Sequence, residues 1–116
     1  MSTRNQVRSA LLSKSEFRKE VVEYNGIKVE IRQPSVKGRQ KILRDATVDG
    51  TIDSMEFLTR SVIENTYMVG TDERVFEDAD YDVLVNKPTG GFLDKFGEKC
   101  AELMNTSIDI EEQVKN

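Results

Sequence analysis

The chain has 116 residues, a net charge of -4, no His, no Trp and one Cys; that bounds it to one domain and removes the commonest general base and metal ligand. Its charge is divided: residues 1–44 hold eleven Lys or Arg against four Glu, a balance of +7, and residues 45–116 hold six basic against seventeen acidic side chains, a balance of -11. Two opposed fields on one small chain suit docking onto partners, or onto copies of itself, better than they suit chemistry.

Residues 3–12 read as a short helix capped by Ser2 or Thr3, with Val7, Ala10 and Leu11 along one side. A helix of this length is marginal alone, so it either packs on the body or frays. The firmest local signal comes next. Asn25-Gly26 tolerates positive φ at both central positions of a type I′ turn and joins two strands tightly. That turn sets Tyr24 opposite Ile27, Val22 opposite Val29 and Glu20 opposite Ile31. Tyr24, Val22, Ile27, Val29 and Ile31 then share one face, with Glu23 meeting Lys28 on the other. A lone hairpin is marginal in water, so helices must cover the apolar face.

Gln33-Pro34 ends the second strand, because the residue before proline is pushed out of the helical region. Ser35 is placed to cap a helix to about residue 46, with Val36, Leu43 and either Ile42 or Ala46 inward. Gly38 weakens that helix by roughly 1 kcal/mol relative to Ala. Lys37, Arg39, Lys41 and Arg44 run along it, the first two near the end where the macrodipole disfavours cations. The plain reading of the four is a solvated face; the sharper one is a partner-binding strip.

Asp49-Gly50 marks a turn. Asp53 followed by Glu56 resembles a capping box and opens a helix to about residue 65, with Met55, Leu58 and Val62 as its stripe and Phe57 and Ile63 beside it. Residues 70–73 read as loop and 74–76 as a brief extended piece. A third main helix runs from residue 78 or 79 to 86, stopped by Pro88, and Thr89 is placed to cap the next. There Phe92 or Leu93, Phe96, Cys100 and Leu103 recur every three or four residues, the strongest helical stripe in the chain. Burying each large apolar group is worth roughly 1.5 to 3 kcal/mol. The expected organisation is an N-terminal arm or short helix over 1–16, a single α+β domain over 17–105, and an acidic C-terminal tail over 106–116 anchored by Ile108, Ile110 and Val114. The domain is mostly α: an N-terminal β-hairpin followed by a bundle of about four helices.

Asp78, Asp80 and Asp82, with Glu77 and Asp72, superficially resemble calcium ligands. The loop pattern is not met, because Val83 stands where it needs Gly and Thr89 where it needs Glu. Acid at a helix N-terminus already has a reason in capping and the dipole, with an acidic docking patch as the functional alternative. Gly90-Gly91 lacks the Lys and spacing of a phosphate loop. Cys100 falls on the apolar stripe, so it reads as a buried structural thiol with no His to activate it. A solitary Cys fits a reducing cytoplasm. The first residues show no signal-peptide core, and no apolar run exceeds three residues, far short of a membrane span. The basic residues form no arginine-rich or motif-bearing cluster, which disfavours nucleic acid as a partner. No catalytic, metal or cofactor site is expected.

Three segments in order, VEIRQPSVKGRQKIL, MEFLTRSVIENTY and DERVFEDADYDVLVNKPTGGFLDKFGEKCAELMN, resemble a tail assembly chaperone of long-tailed bacteriophages, encoded by a phage or prophage. The resemblance covers about residues 20–105 and rests on order and spacing: a strand ending in Gln33-Pro34, an acidic helix start over 76–82, and a helix-turn-helix over 84–92 containing Pro88. It implies a cytoplasmic, non-catalytic assembly factor that binds the apolar, helical tape measure protein and helps recruit tail-tube subunits. It also implies absence from the mature virion and, in many members, a second, frameshift-extended form. Docking then falls to exposed helix faces and charged strips. The charged candidates are Lys37, Arg39, Lys41 and Arg44 with Asp78, Asp80 and Asp82, which also suit head-to-tail self-association. The apolar candidates are Met55, Leu58, Val62, Phe92 and Phe96 on the two strongest helices. The competing readings are a structural tail or head-tail connector protein and a small nucleic-acid-binding regulator.

Overall fold

The protein is described by a computed structural model over residues 3–104. It is an α+β fold in which an antiparallel sheet is covered on one face by two helices. Helix α1 (Arg4–Leu12) starts at Thr3, whose hydroxyl accepts from the Gln6 N–H while the Gln6 side chain accepts from the Thr3 N–H. It buries none of its residues, so Val7, Ala10 and Leu11 face solvent rather than the body.

Strands β1 (Lys19–Tyr24) and β2 (Ile27–Arg32) pair in the expected register, with Tyr24 opposite Ile27, Val22 opposite Val29 and Glu20 opposite Ile31. Asn25 and Gly26 both have positive φ, 52° and 81°, as a type I′ turn requires. Val22, Val29 and Ile31 are buried and Tyr24 is half-buried, but Ile27 is 63% exposed. The helical cover reaches Tyr24, whose ring meets Phe92 edge-on at 6.1 Å, and leaves Ile27 beside the turn uncovered.

Helix α2 (Val36–Asp45) is capped by Ser35, which accepts from the Gly38 N–H at 3.0 Å. Ile42 and Ala46 are both fully buried and Leu43 is half-buried, whereas Val36 is 67% exposed, against expectation. Six steps at 100° set Val36 about 120° round the helix from Ile42, off the buried face. The Asp49-Gly50 turn, with φ of 52° and 80°, joins two-residue strands β3 (Thr47–Val48) and β4 (Thr51–Ile52) in a second small hairpin.

Helix α3 (Ser54–Asn65) is capped by Asp53, which accepts from Met55 N and Glu56 N at 3.0 Å. The reciprocal half of the capping box is absent: the Asp53 N–H donates to the Ala46 carbonyl, and Glu56 turns to Arg60 and Tyr81. The chain then enters β5 (Thr66–Tyr67), which pairs with Glu30 and Ile31 and makes β2 the central strand of the order β1-β2-β5. The expected third main helix divides into a 3-10 turn (Asp78–Asp80) and the short α4 (Tyr81–Val85), with Leu84 its buried residue. Helix α5 (Phe92–Met104) begins after Gly91 rather than at a Thr89 cap, and the Asp94 carboxylate accepts from the Gly90 N–H.

The core lies between the sheet face of Val22, Val29 and Ile31 and the helical residues Val62, Ile63, Leu84, Leu93, Phe96, Cys100 and Leu103. Gly97 lets α3 and α5 approach closely: a Cβ there would stand 2.5 Å from Leu58 Cγ. The tail expected over 106–116, with Ile108, Ile110 and Val114, lies outside the described residues.

Candidate docking surface

The basic strip on α2 is only partly available. Lys41 donates to Glu64 at 2.6 Å and to Asp45 at 3.3 Å, and the Glu64 bond is the main reason its pKa is raised. Glu64 also accepts from Arg74 at 2.9 Å, and Arg74 approaches Asp78 at 3.7 Å. A chain of alternating charge therefore runs from α2 across α3 to the acidic turn within one subunit, engaging one member of each set expected to meet between copies. Asp80 accepts from the Glu77 N–H at 2.8 Å as a local cap, and Asp82 is exposed on α4. Lys37, Arg39 and Arg44 remain exposed; Arg44 has only a 3.9 Å approach to Asp45.

The apolar candidates divide in the same way. Val62 and Phe96 are core residues, so they support the surface without forming it. Met55 is 54% exposed, and Leu58 and Phe92 are half-buried. Phe92 centres an aromatic cluster, stacked on Phe76 at 6.1 Å and tilted against Phe96 at 5.5 Å. Beside it lies a groove of about 480 Å³ between the turn end of the sheet, α3 and α5, lined by Tyr24, Leu58, Gly90, Gly91, Asp94, Lys95 and Glu98. Its floor is apolar and its rim carries both signs of charge, as a site for a helix stripe requires. Lys95 is held at that rim by donating to the Glu23 carbonyl at 2.6 Å. Of the groove's residues, sequence periodicity marks Tyr24 on the hairpin face and Leu58 on the α3 stripe; Gly90-Gly91 signals a helix start but not a wall.

A second cleft of about 590 Å³, which no motif signals, opens between β2, the start of α2 and the end of α3. Along it Arg32 lies over the Tyr67 ring at 4.0 Å and pairs with Glu30 at 2.8 Å and Asp72 at 3.1 Å. Glu30 is 4% exposed. Its pKa is lowered, first by the Gly70 N–H donating to it at 3.1 Å and then by Arg32. This cluster fastens the 70–73 loop to the central strand. Cys100 is 1% exposed, and burial pushes its thiol up to about 12, with the Asn65 amide pulling weakly the other way. A thiol held protonated at that value is a packing group at neutral pH.

Among the described residues no three His, Cys, Asp or Glu side chains are arranged to hold a metal ion, and no helix is long and apolar enough to cross a membrane. No protein-family model matches the chain, and no curated protein does. Among solved structures, that of the bacteriophage HK97 tail assembly chaperone matches with a TM-score of 0.54 at 16% identity, over 87% of this chain and 99% of that one. The chain thus shares the overall fold of that structure.

Proposed function

We propose that the chain is a phage tail assembly chaperone: a non-catalytic factor of the host cytoplasm that binds a tape measure protein, recruits tail-tube subunits and is absent from the finished particle. The observation that carries this reading is the fold shared with the HK97 chaperone over nearly the whole of both chains. Two features of the surface support it. A long apolar helix in water needs a groove with an apolar floor and charged rims, and the Tyr24, Leu58 and Gly91 groove with Asp94, Lys95 and Glu98 has that form. Charged rims of both signs also orient a client and keep the complex in solution.

Co-expression with the tape measure protein of the same phage tests the reading. The tape measure is recovered in the soluble fraction only with this partner, and Met55→Asp, a change at an exposed position on α3, the helix that carries Leu58 of the groove, reduces that recovery. A tape measure equally insoluble with and without the partner overturns the proposal. Mass spectrometry of purified particles separates it from the connector reading, since a chaperone is missing from them and a connector is retained.

A further inference from the structure

Helix α1 is capped, amphipathic and without a partner. Its capping box is complete on both sides, yet it buries none of its 9 residues, and Leu11 is 76% exposed. A helix of that length is marginal in water unless one face is covered. Steps of about 100° set Val7, Leu11, Arg4 and Arg8 within an arc of about 100°, an apolar ridge beside a basic one. The helix carries no acid, and neither arginine makes an ion pair among the described residues.

The groove beside Phe92 is its complement. Tyr24 and Leu58 form the floor, and Ile27, opposite Tyr24 on the same sheet face, continues it beyond the helical cover. On the rim Lys95 is drawn to the Glu23 carbonyl, whereas Asp94 and Glu98 make no ion pair among the described residues. These two acids are four residues apart on α5, as Arg4 and Arg8 are on α1, so each pair spans about 6 Å along its helix. Gly90 and Gly91 leave that wall without side chains, which lets a helix come close. The root of α1 lies at the other end of the sheet: the Arg18 N–H donates to the Gln33 side chain at 3.0 Å, and the Gln33 N–H to the Arg18 carbonyl at 2.8 Å. The path from there to its own groove runs back along the whole of β1, about 17 Å. A neighbouring copy imposes no such path.

We propose that α1 of one copy docks in this groove of a second copy, with Val7 and Leu11 on Tyr24, Leu58 and Ile27, and Arg4 and Arg8 against Asp94 and Glu98. Each copy gives one helix and receives one, a head-to-tail contact that further copies can repeat. So short a helix makes an interface of the weak, transient class. Where the groove is also the client site, a step that rests on the function proposed above, an arriving client helix displaces the neighbour's α1. The contact itself is measurable without any client.

Two forms of the full chain, mixed at low salt, test it. One carries a nitroxide on Ser9→Cys, on the side of α1 away from the docked arc, and no isotope; the other is isotope-labelled in nitrogen and carries no nitroxide. Cys100 is buried and escapes the nitroxide reagent. A signal then weakens only through contact between copies. The expected loss is centred on the amides of Tyr24, Gly91, Lys95 and Glu98. Arg8→Glu in the nitroxide form, or Glu98→Arg in the observed form, removes most of it, because an exposed attraction turned into a repulsion weakens the contact roughly tenfold. With one exchange in each form the loss returns. Both positions are exposed, so the exchanges leave the fold in place. Unweakened groove signals overturn the proposal, as does a loss centred elsewhere or one indifferent to both exchanges. No sample contains a tape measure, so this contact and the chaperone reading fail separately.

Discussion

Gly97→Ala sets two effects of opposite sign against each other. At an open helix position the exchange stabilises by about 0.8 to 1 kcal/mol, from propensity alone. At Gly97 the new Cβ would stand 2.5, 2.8 and 3.0 Å from Cγ and the two Cδ atoms of Leu58. Carbon atoms rest at roughly 3.5 to 4.0 Å, so the overlap at Cγ is about 1 Å. Because Cγ is the branch point, turning the end of the side chain does not clear it; Leu58 must change rotamer or α3 and α5 must part. Overpacking of this kind costs about 1 to 3 kcal/mol, and α3 and α5 share Val62, Phe96 and Cys100 in one core. The net expectation is a loss of up to about 2 kcal/mol, which for a domain of this size lowers Tm by up to roughly 15 °C. Thermal and urea unfolding measure it. In a Leu58→Ala background the same exchange becomes neutral or stabilising, because the clash is gone. A Gly97→Ala protein that melts higher than the parent refutes the close-approach argument.

Glu30→Ala removes the acceptor of both Gly70 and Arg32 in a buried site and costs about 2 to 3 kcal/mol, read from the urea midpoint. Since the Glu30 pKa is lowered in the fold, its contribution is present above the ordinary carboxylate range and fades as pH falls through the folded value; Glu30→Gln flattens that acid limb, and an unchanged limb counts against the cluster. Cys100 acts in the opposite sense. Its folded pKa of about 12 lies above the unfolded value near 9, so stability holds below pH 9 and falls by up to about 1.4 kcal/mol per pH unit between the two. Cys100→Ala removes that part of the alkaline slope, and a thiol reagent that modifies the native protein as fast as the unfolded chain contradicts the burial. Gly26→Val, at φ 81°, costs about 1 to 3 kcal/mol, since a β-branched residue resists that conformation; an unchanged Tm argues against the type I′ turn.

What the amino-acid order determined by itself lies within a few residues along the chain. Asn25-Gly26 set the register of six strand pairs because a two-residue turn leaves no choice of partner. Ser35 and Asp53 cap their helices, and the Leu93, Phe96, Cys100 and Leu103 stripe is buried, because caps and 3.6-residue periods are local properties. Tertiary structure decided the rest. A two-residue strand such as β5 has no periodicity to detect, yet its pairing makes β2 central and buries Glu30 on the face opposite the apolar one. Thr59 and Ser61 are buried polar residues on α3, made tolerable by hydroxyl bonds to the Met55 and Phe57 carbonyls. The division of the charged and apolar candidates was likewise settled by contacts made across the fold: Lys41 is engaged by Glu64, 23 residues away, and Val62 and Phe96 are drawn into the core. A residue type reports what a side chain can do; only the packing of distant segments decides whether that capacity is spent inside the subunit or left on its surface.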